Sequence, residues 1–284
     1  MRIVYFLGCL SLAACGLNES EFRAGAVDSN VYATGLFANR IEIESGIAYV
    51  VASGDNRIEK VDLESCTLSR CTNVGNLVFS VGASPFDLSV SDSGYVYATL
   101  NLGNALGVAN ADGGIIAEAD VGLDDPLSVV TFGTKAFVSN GAYDFSGPVP
   151  QYGSGTISVV DISTPEAPTL TTTIDLPFEQ PLGMVVRGRT LYVVCAGAFG
   201  EDYLPVTSGG VVTIDAETNE IISQIDMGLT APGPTVVLRG DIAYVPSALG
   251  VHLLKVNVAQ GSVLRGEDNP VTLSDADGYA SWVT

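Results

Sequence analysis

Positive charge and histidine are what this chain of 284 residues has least of. Twelve Lys and Arg stand against 32 Asp and Glu, giving a formal net charge of −20, and His252 is the one histidine. So acidic a surface repels phosphate, which disfavours nucleic acid as a partner and any peripheral docking on anionic lipid. One imidazole leaves no material for a poly-histidine metal site, and its place in the apolar strand-like run Val251–Val256 points to a structural role. Also missing are a Gly-x-Ser-x-Gly elbow, a Cys-x-x-Cys-His haem attachment and a phosphate-cradling glycine loop. No segment keeps a 3.6-residue period, so helix is negligible. What the chain has in quantity is apolar residue (47%) with little charge (15%), which excludes disorder. The 32 Gly and 13 Pro indicate many turns.

Met1-Arg2 followed by the apolar run Ile3–Leu12 has the form of an export signal, too short to span a bilayer. The run ends Leu12-Ala13-Ala14-Cys15, which resembles the bacterial lipobox. The resemblance implies a lipoprotein signal over residues 1–14, cleavage before Cys15, and a lipidated Cys15. An ordinary secretory signal that happens to contain cysteine is the alternative. Gly16 rather than an aspartate follows, which in a diderm cell directs the protein to the outer membrane, on its periplasmic or exposed side. Three other cysteines remain beyond the signal. Cys66 and Cys71 have the spacing of a loop that a disulfide can pin in an oxidising compartment, two free thiols being the alternative. Cys195, in the apolar run Leu191–Cys195, is expected to be a buried small hydrophobe.

Internal repetition decides the fold. Short Val-, Ile- and Tyr-rich runs recur around Tyr49, Tyr97, Phe137, Tyr192 and Tyr244, and each is followed by a second run closing on Asp62, Asn110, Asp161, Asp215 or Asn257. The aromatic and its closing residue stand 13 apart in three units and 24 and 23 apart in the third and fourth, which carry insertions. A proline precedes four of the aromatic runs: Pro85, Pro126, Pro181 and Pro234. Four strands repeated at about 40–50 residues are the signature of propeller blades. The expected fold is therefore an all-β propeller over residues 40–284 with four-stranded antiparallel blades. Five units are complete and Pro270 opens a sixth, with Gly278–Trp282 as its second strand and residues 31–37 closing it, within a lipidated tether over 15–39. A seven-bladed chain cut short is the alternative.

The segment Tyr49–Asp62 resembles the YVTN-family β-propeller repeat, as does Phe137-Val138-Ser139-Asn140. Gly155–Asp161 and Gly209–Asp215 resemble the second half of that repeat, and Ile157–Pro168 is also similar to the related LVIVD repeat. The likeness covers nearly all of residues 40–284 and is specific for fold, because the matching positions are structural. It implies no activity.

Both insertions join second to third strands and echo each other. The first has Gly141-Ala142-Tyr143-Asp144-Phe145 with Tyr152 beyond, and the second has Gly197-Ala198-Phe199 with Glu201-Asp202-Tyr203. Aromatics mixed with carboxylates and followed by proline (Pro148, Pro205) suit a contact surface, so Tyr143, Asp144, Phe145, Tyr152, Phe199, Glu201, Asp202 and Tyr203 are the candidate binding residues. The alternative is a duplicated decoration whose aromatics only pack on one another. Asp124, Asp125, Glu179, Glu267 and Asp268 add acids on the same face. A Ca²⁺ site is a weaker reading of Asp275-Ala276-Asp277-Gly278, since such Asp-rich stretches are often hairpin turns. The closing Asp62, Asp161 and Asp215 are expected to bind backbone amides. The leading function is a lipid-anchored envelope platform, without chemistry of its own, that engages a protein or small ligand and meets the membrane through its anchor only. A metal-dependent hydrolase or lactonase is the runner-up, although no lactonase ligand set matches these residues. A structural surface role is the third reading.

Overall fold

Strands that are buried on both faces need continuous apolar runs rather than alternation, and such runs recur along this chain. A computed structural model describes residues 34–67, 70–110, 112–144, 146, 151–250 and 252–273. The first sheet joins β1 (Ala38–Glu44), β2 (Ile47–Ala52), β3 (Arg57–Thr67) and β4 (Arg70–Val78). The second joins β5 (Pro85–Val90), β6 (Tyr95–Leu100), β7 (Ala105–Asn110) and β8 (Ile115–Ala119). In the third, β9 (Pro126–Phe132) and β10 (Lys135–Asn140) lead into a small hairpin, β11 (Tyr143–Asp144) and β12 (Gln151–Tyr152). The sheet then resumes with β13 (Thr156–Asp161) and β14 (Thr169–Asp175). The fourth joins β15 (Pro181–Arg187), β16 (Thr190–Cys195), β17 (Gly210–Asp215) and β18 (Ile221–Asp226). The fifth has β19 (Val237–Arg239), β20 (Ile242–Pro246), β21 (His252–Asn257) and β22 (Ser262–Arg265), with β23 (Val271–Thr272) beside β21. The first two sheets belong to one compact unit and the other three to a second.

The fold is an all-β propeller of four-stranded antiparallel blades, as the repeats imply. Five blades stand among the described residues, which corrects the expected six and also the seven-bladed alternative. The sixth fails for a reason of pairing. Val271 and Thr272 bond to Leu253 and His252, where the short β22 leaves β21 uncovered, so these two residues after Pro270 join the fifth blade's outer edge. Nor do residues 34–37 close another sheet: the carbonyls of Leu36 and Phe37 accept the amides of Gly54 and Ser53 in the first blade. Residues 31–33, the segment Gly278–Trp282, the Asp275–Gly278 stretch and the whole signal with Cys15 lie outside the described residues.

Repeated residues do repeated work. Every turn from first to second strand holds a left-handed glycine: Gly46, Gly94, Gly133, Gly188 and Gly240. Four of the five third strands close on a side-chain oxygen that accepts a backbone amide of the next turn, and Asp62, inside the longer β3, does the same for an amide two residues on. Asp62 takes Glu64, Asn110 takes Gly113 and Gly114, Asp161 takes Ser163, Asp215 takes Glu217 and Thr218, and Asn257 takes Gln260. Second strands β2, β6, β10 and β16 are buried at every position but the first. Fourth strands face water, and β14 buries only Ile174. Facing sheets then share apolar layers: Tyr49, Ile58 and Leu77 with Leu88 and Val96 between the first two, and Phe137 and Ile157 with Leu191 and Val193 between the third and fourth. Each fully buried Leu or Ile side chain contributes about 1.5–3 kcal/mol. The disulfide Cys66–Cys71 is formed and pins the β3–β4 hairpin beside Ala48, Val50 and Val61. Cys195 is free and fully buried; burial, then the Glu179 carboxylate, pushes its thiol up.

Between the first two blades a carboxylate is trapped. Glu42 of β1 accepts the Val90 amide of β5 at 3.0 Å, beside an Arg40–Asp87 ion pair of 3.0 Å. Burial lifts the Glu42 carboxyl from 4.5 to about 7, the Val90 amide opposes that rise, and Asp87 adds to it. The folded chain thus holds the proton that the unfolded chain releases near 4.5. The stabilisation is complete below that pH and is lost as pH rises through about 7. Urea unfolding at low and high pH is expected to show native protein and Glu42→Gln nearly equal near pH 4.5. Above pH 7 the native protein should be the weaker by roughly 1–3 kcal/mol. Parallel pH profiles for the two would overturn this assignment.

Candidate functional site

Where each blade begins, one residue that is not glycine adopts the left-handed conformation: Phe37, Ser84, Asp125, Gln180 and Ala231, with φ between 44° and 55°. Proline follows four of them, Ser84, Asp125, Gln180 and Ala231. Proline costs no ladder bond at the first position of an edge strand. In the fifth unit this proline is Pro232, not the Pro234 singled out by spacing. The carbonyls around the left-handed residue accept amides just past the second strand. In the third blade Asp125 and Asp124 take Gly141 and Ala142, and in the fourth Gln180 and Glu179 take Ala196 and Gly197. Both insertions therefore leave the sheet from a fixed point, with Ala142 and Gly197 in equivalent places, one residue out of step with the Gly-Ala echo of the sequence. Gly141 lies under the Tyr143 ring, where a Cβ would come within 2.7 Å of it. Gly197 has φ +79° with the Thr207 carbonyl 2.5 Å from where a Cβ would stand.

Each insertion folds as a small hairpin. Tyr143 pairs with Tyr152 and Asp144 with Gln151 in the first; Phe199 bridges Pro205 in the second. The two hairpins meet through aromatic rings. Tyr143 and Tyr152 make an edge contact with centroids 5.8 Å apart, and Tyr152 lies 6.3 Å from Phe199 at a tilt of 54°. Burial, then the nearby Tyr203, raises the Tyr152 phenol above its ordinary value. Burial also drives up the Tyr143 phenol, with Tyr152 and Asp125 adding to the effect. Of the predicted residues the structure thus gathers Tyr143, Tyr152 and Phe199, with Tyr203 beside them. Asp144, Glu201 and Asp202 are exposed around this group, Asp144 accepting the Ser146 amide and Asp202 the Leu204 amide. Phe145, Pro148 and Val149 lie outside the described residues.

Sequence reasoning missed the residue that joins the two loops. Gln180 is buried, donates its Nε2 to the Gly197 carbonyl at 2.6 Å, and accepts the Tyr143 hydroxyl at 3.5 Å. Its neighbour Glu179 accepts the Thr207 hydroxyl at 2.8 Å, and that hydroxyl oxygen takes the Ala198 amide. Asp125 accepts the Tyr143 amide at 3.0 Å; burial raises its carboxyl against the pull of that amide. The available signal was position, since Asp125 and Gln180 both stand immediately before a blade-opening proline. Also missed were Leu204 and Val206, which with Tyr203 expose more than half of their surface (54%, 60% and 53%). The arrangement is a rigid aromatic base carrying an apolar tip rimmed by carboxylates. Among the described residues no three His, Cys, Asp or Glu side chains gather to hold a metal ion, and no helix is long and apolar enough to cross a membrane.

No family model matches the chain, and no curated protein matches its sequence. Solved structures do resemble it. A chain of Kuenenia stuttgartiensis hydrazine synthase shares 15% identity at a TM-score of 0.66, over 90% of this chain and 72% of that one. BamB from Moraxella catarrhalis shares 14% identity at a TM-score of 0.54, over 84% and 63%. A chain of a nidogen/laminin complex shares 14% at 0.53, over 77% and 74%. At such identities the likeness carries the propeller fold alone.

Replacing Gln180 by Ala removes its hydrogen bonds with the Tyr143 hydroxyl and the Gly197 carbonyl. The expected loss of stability is about 1–3 kcal/mol, read as a lower thermal midpoint, and it should be accompanied by faster proteolysis within 141–155 and 197–209. Unchanged proteolysis at both loops would show that Gln180 does not hold them.

Proposed function

We propose that this chain is a lipid-anchored protein of the bacterial envelope whose propeller is a non-catalytic binding platform, engaging a protein through the insertion loops of its third and fourth blades. The observation that supports the reading most directly is the second insertion. It presents Tyr203, Leu204 and Val206 to solvent on a base ordered by Gln180, Tyr152 and Phe199. Exposed apolar side chains on a pre-ordered loop mark an interaction surface, because binding then costs little ordering entropy. A propeller chain from a nidogen/laminin complex among the similar structures is in keeping with a scaffold used for protein contacts. The Cys66–Cys71 disulfide fits an oxidising compartment outside the cytoplasm, and Cys15 is the residue assigned to the lipid.

Two measurements test the reading. Metabolic labelling with a radioactive fatty acid is expected to mark the native protein and not Cys15→Ser; equal labelling of both, or of neither, removes the anchor. Affinity capture from envelope extracts should retain a protein with the native chain and lose it with Tyr203→Ser/Leu204→Ser/Val206→Ser at an unchanged melting temperature. Identical captures would sink the loop surface.

A further inference from the structure

Lys and Arg are placed unevenly in the third and fourth blades. Between residues 121 and 228 there are three, Lys135, Arg187 and Arg189, all at the end where first strands turn into second strands. Each is engaged there. Lys135 donates to the carbonyls of Ala216 and Glu217 and to the Asn219 side chain at 3.0, 2.7 and 2.9 Å. Arg189 pairs with Asp215 and Glu217, and Arg187 bonds the Gly240 carbonyl and approaches Asp241. The opposite end carries the insertions, and no Lys or Arg of these blades stands at it. Its exposed carboxylates are Asp124, Asp144, Asp175, Glu201, Asp202 and Asp226. Glu201 and Asp202 sit on the same hairpin as the exposed Tyr203, Leu204 and Val206, in a turn closed by the Tyr203 amide on the Gly200 carbonyl.

We propose that the occupant of this surface is a basic protein segment, with lysine or arginine side chains flanking an aliphatic or aromatic anchor. The inference rests on the platform reading and specifies its partner. Apolar side chains at the tip take the anchor. The carboxylates around them face the flanking cations, and the Tyr152, Phe199 and Tyr203 rings offer faces that attract Lys or Arg. The same field repels acidic segments, so the surface selects as well as binds.

The test uses the purified full-length protein in mild detergent and three fluorescent peptides sharing a Leu/Trp core, flanked by Lys and Arg, by Glu, or by Ser and Gln. Anisotropy titrations are run at about 50 mM and about 500 mM salt, spanning Debye lengths on either side of about 8 Å. The basic peptide is expected to bind at least about tenfold tighter than the neutral one, and the acidic peptide not at all. Glu201→Gln/Asp202→Asn should weaken the basic peptide about fivefold at low salt, with the difference shrinking at high salt. Tyr203→Ser/Leu204→Ser should weaken it by about the same factor at both salts. Glu220→Gln/Asp241→Asn removes two charges at the other end and should change binding less than about twofold. Equal affinity for all three peptides, or equal loss from the two charge variants, would overturn the proposal. Should envelope capture depend on Tyr203, Leu204 and Val206 while the basic peptide shows no preference, the platform stands and the basic partner falls. Should capture be indifferent to those residues, the platform itself has failed.

Discussion

Each blade hangs from one residue held in the left-handed conformation, and the rest of the architecture depends on how that residue is secured. A side chain with a Cβ pays about 1–3 kcal/mol for such a backbone, yet Phe37, Ser84, Asp125, Gln180 and Ala231 all adopt it. The offset comes from carbonyls of the linking segment that accept amides at the end of the second strand. The linker is thereby fastened to the start of the loop between second and third strands. That loop can lengthen without disturbing the sheet, because its departure is fixed before the added residues begin. Ten or so extra residues in the third and fourth units leave β10 paired with β13, and β16 with β17, in unbroken register.

Much of this is legible in the sequence because it is local. Apolar runs, turn glycines and the closing Asp or Asn lie within a few residues of the bonds they make, so period and composition show them. The Cys66–Cys71 pairing is equally local, five residues apart on one hairpin. The blade count was not legible, since the run after Pro270 has strand composition and only its partner decides which sheet it joins. Val271 and Thr272 find unpaired groups of His252 and Leu253 already present in the fifth blade, a contact some twenty residues distant in the chain that no local pattern encodes. Spacing likewise favoured Pro234 where the backbone uses Pro232, because two prolines in one short linker look alike until the left-handed residue before one of them is seen.

At the candidate surface the aromatics were legible and their support was not. Tyr143, Tyr152 and Phe199 stand out by type, and they do gather. Their packing satisfies part of the decorative reading, in which such rings serve only one another. Tyr203, Leu204 and Val206 nonetheless remain more than half exposed, while Gln180 bonds to both loops. A glutamine has no special composition signal. Its weight comes from burial and from facing two loops at once, which are properties of the folded chain.

Charge completes the argument, because its placement costs stability that packing does not require. Like charges crowded at one end of a blade repel one another, and nearby Lys or Arg would relieve the strain. The third and fourth blades hold three such cations, and each neutralises or caps a turn at the far end. The loop end of these two blades has no Lys or Arg of its own beside its carboxylates and its exposed apolar side chains. Surface composition tuned only for solubility mixes both signs, whereas a single sign concentrated around an apolar tip creates a field that discriminates among partners before contact is made. The cations and the carboxylates are thus two halves of one distribution, in which the turns at the far end of the blades are tied down and the loop end carries a single sign of charge.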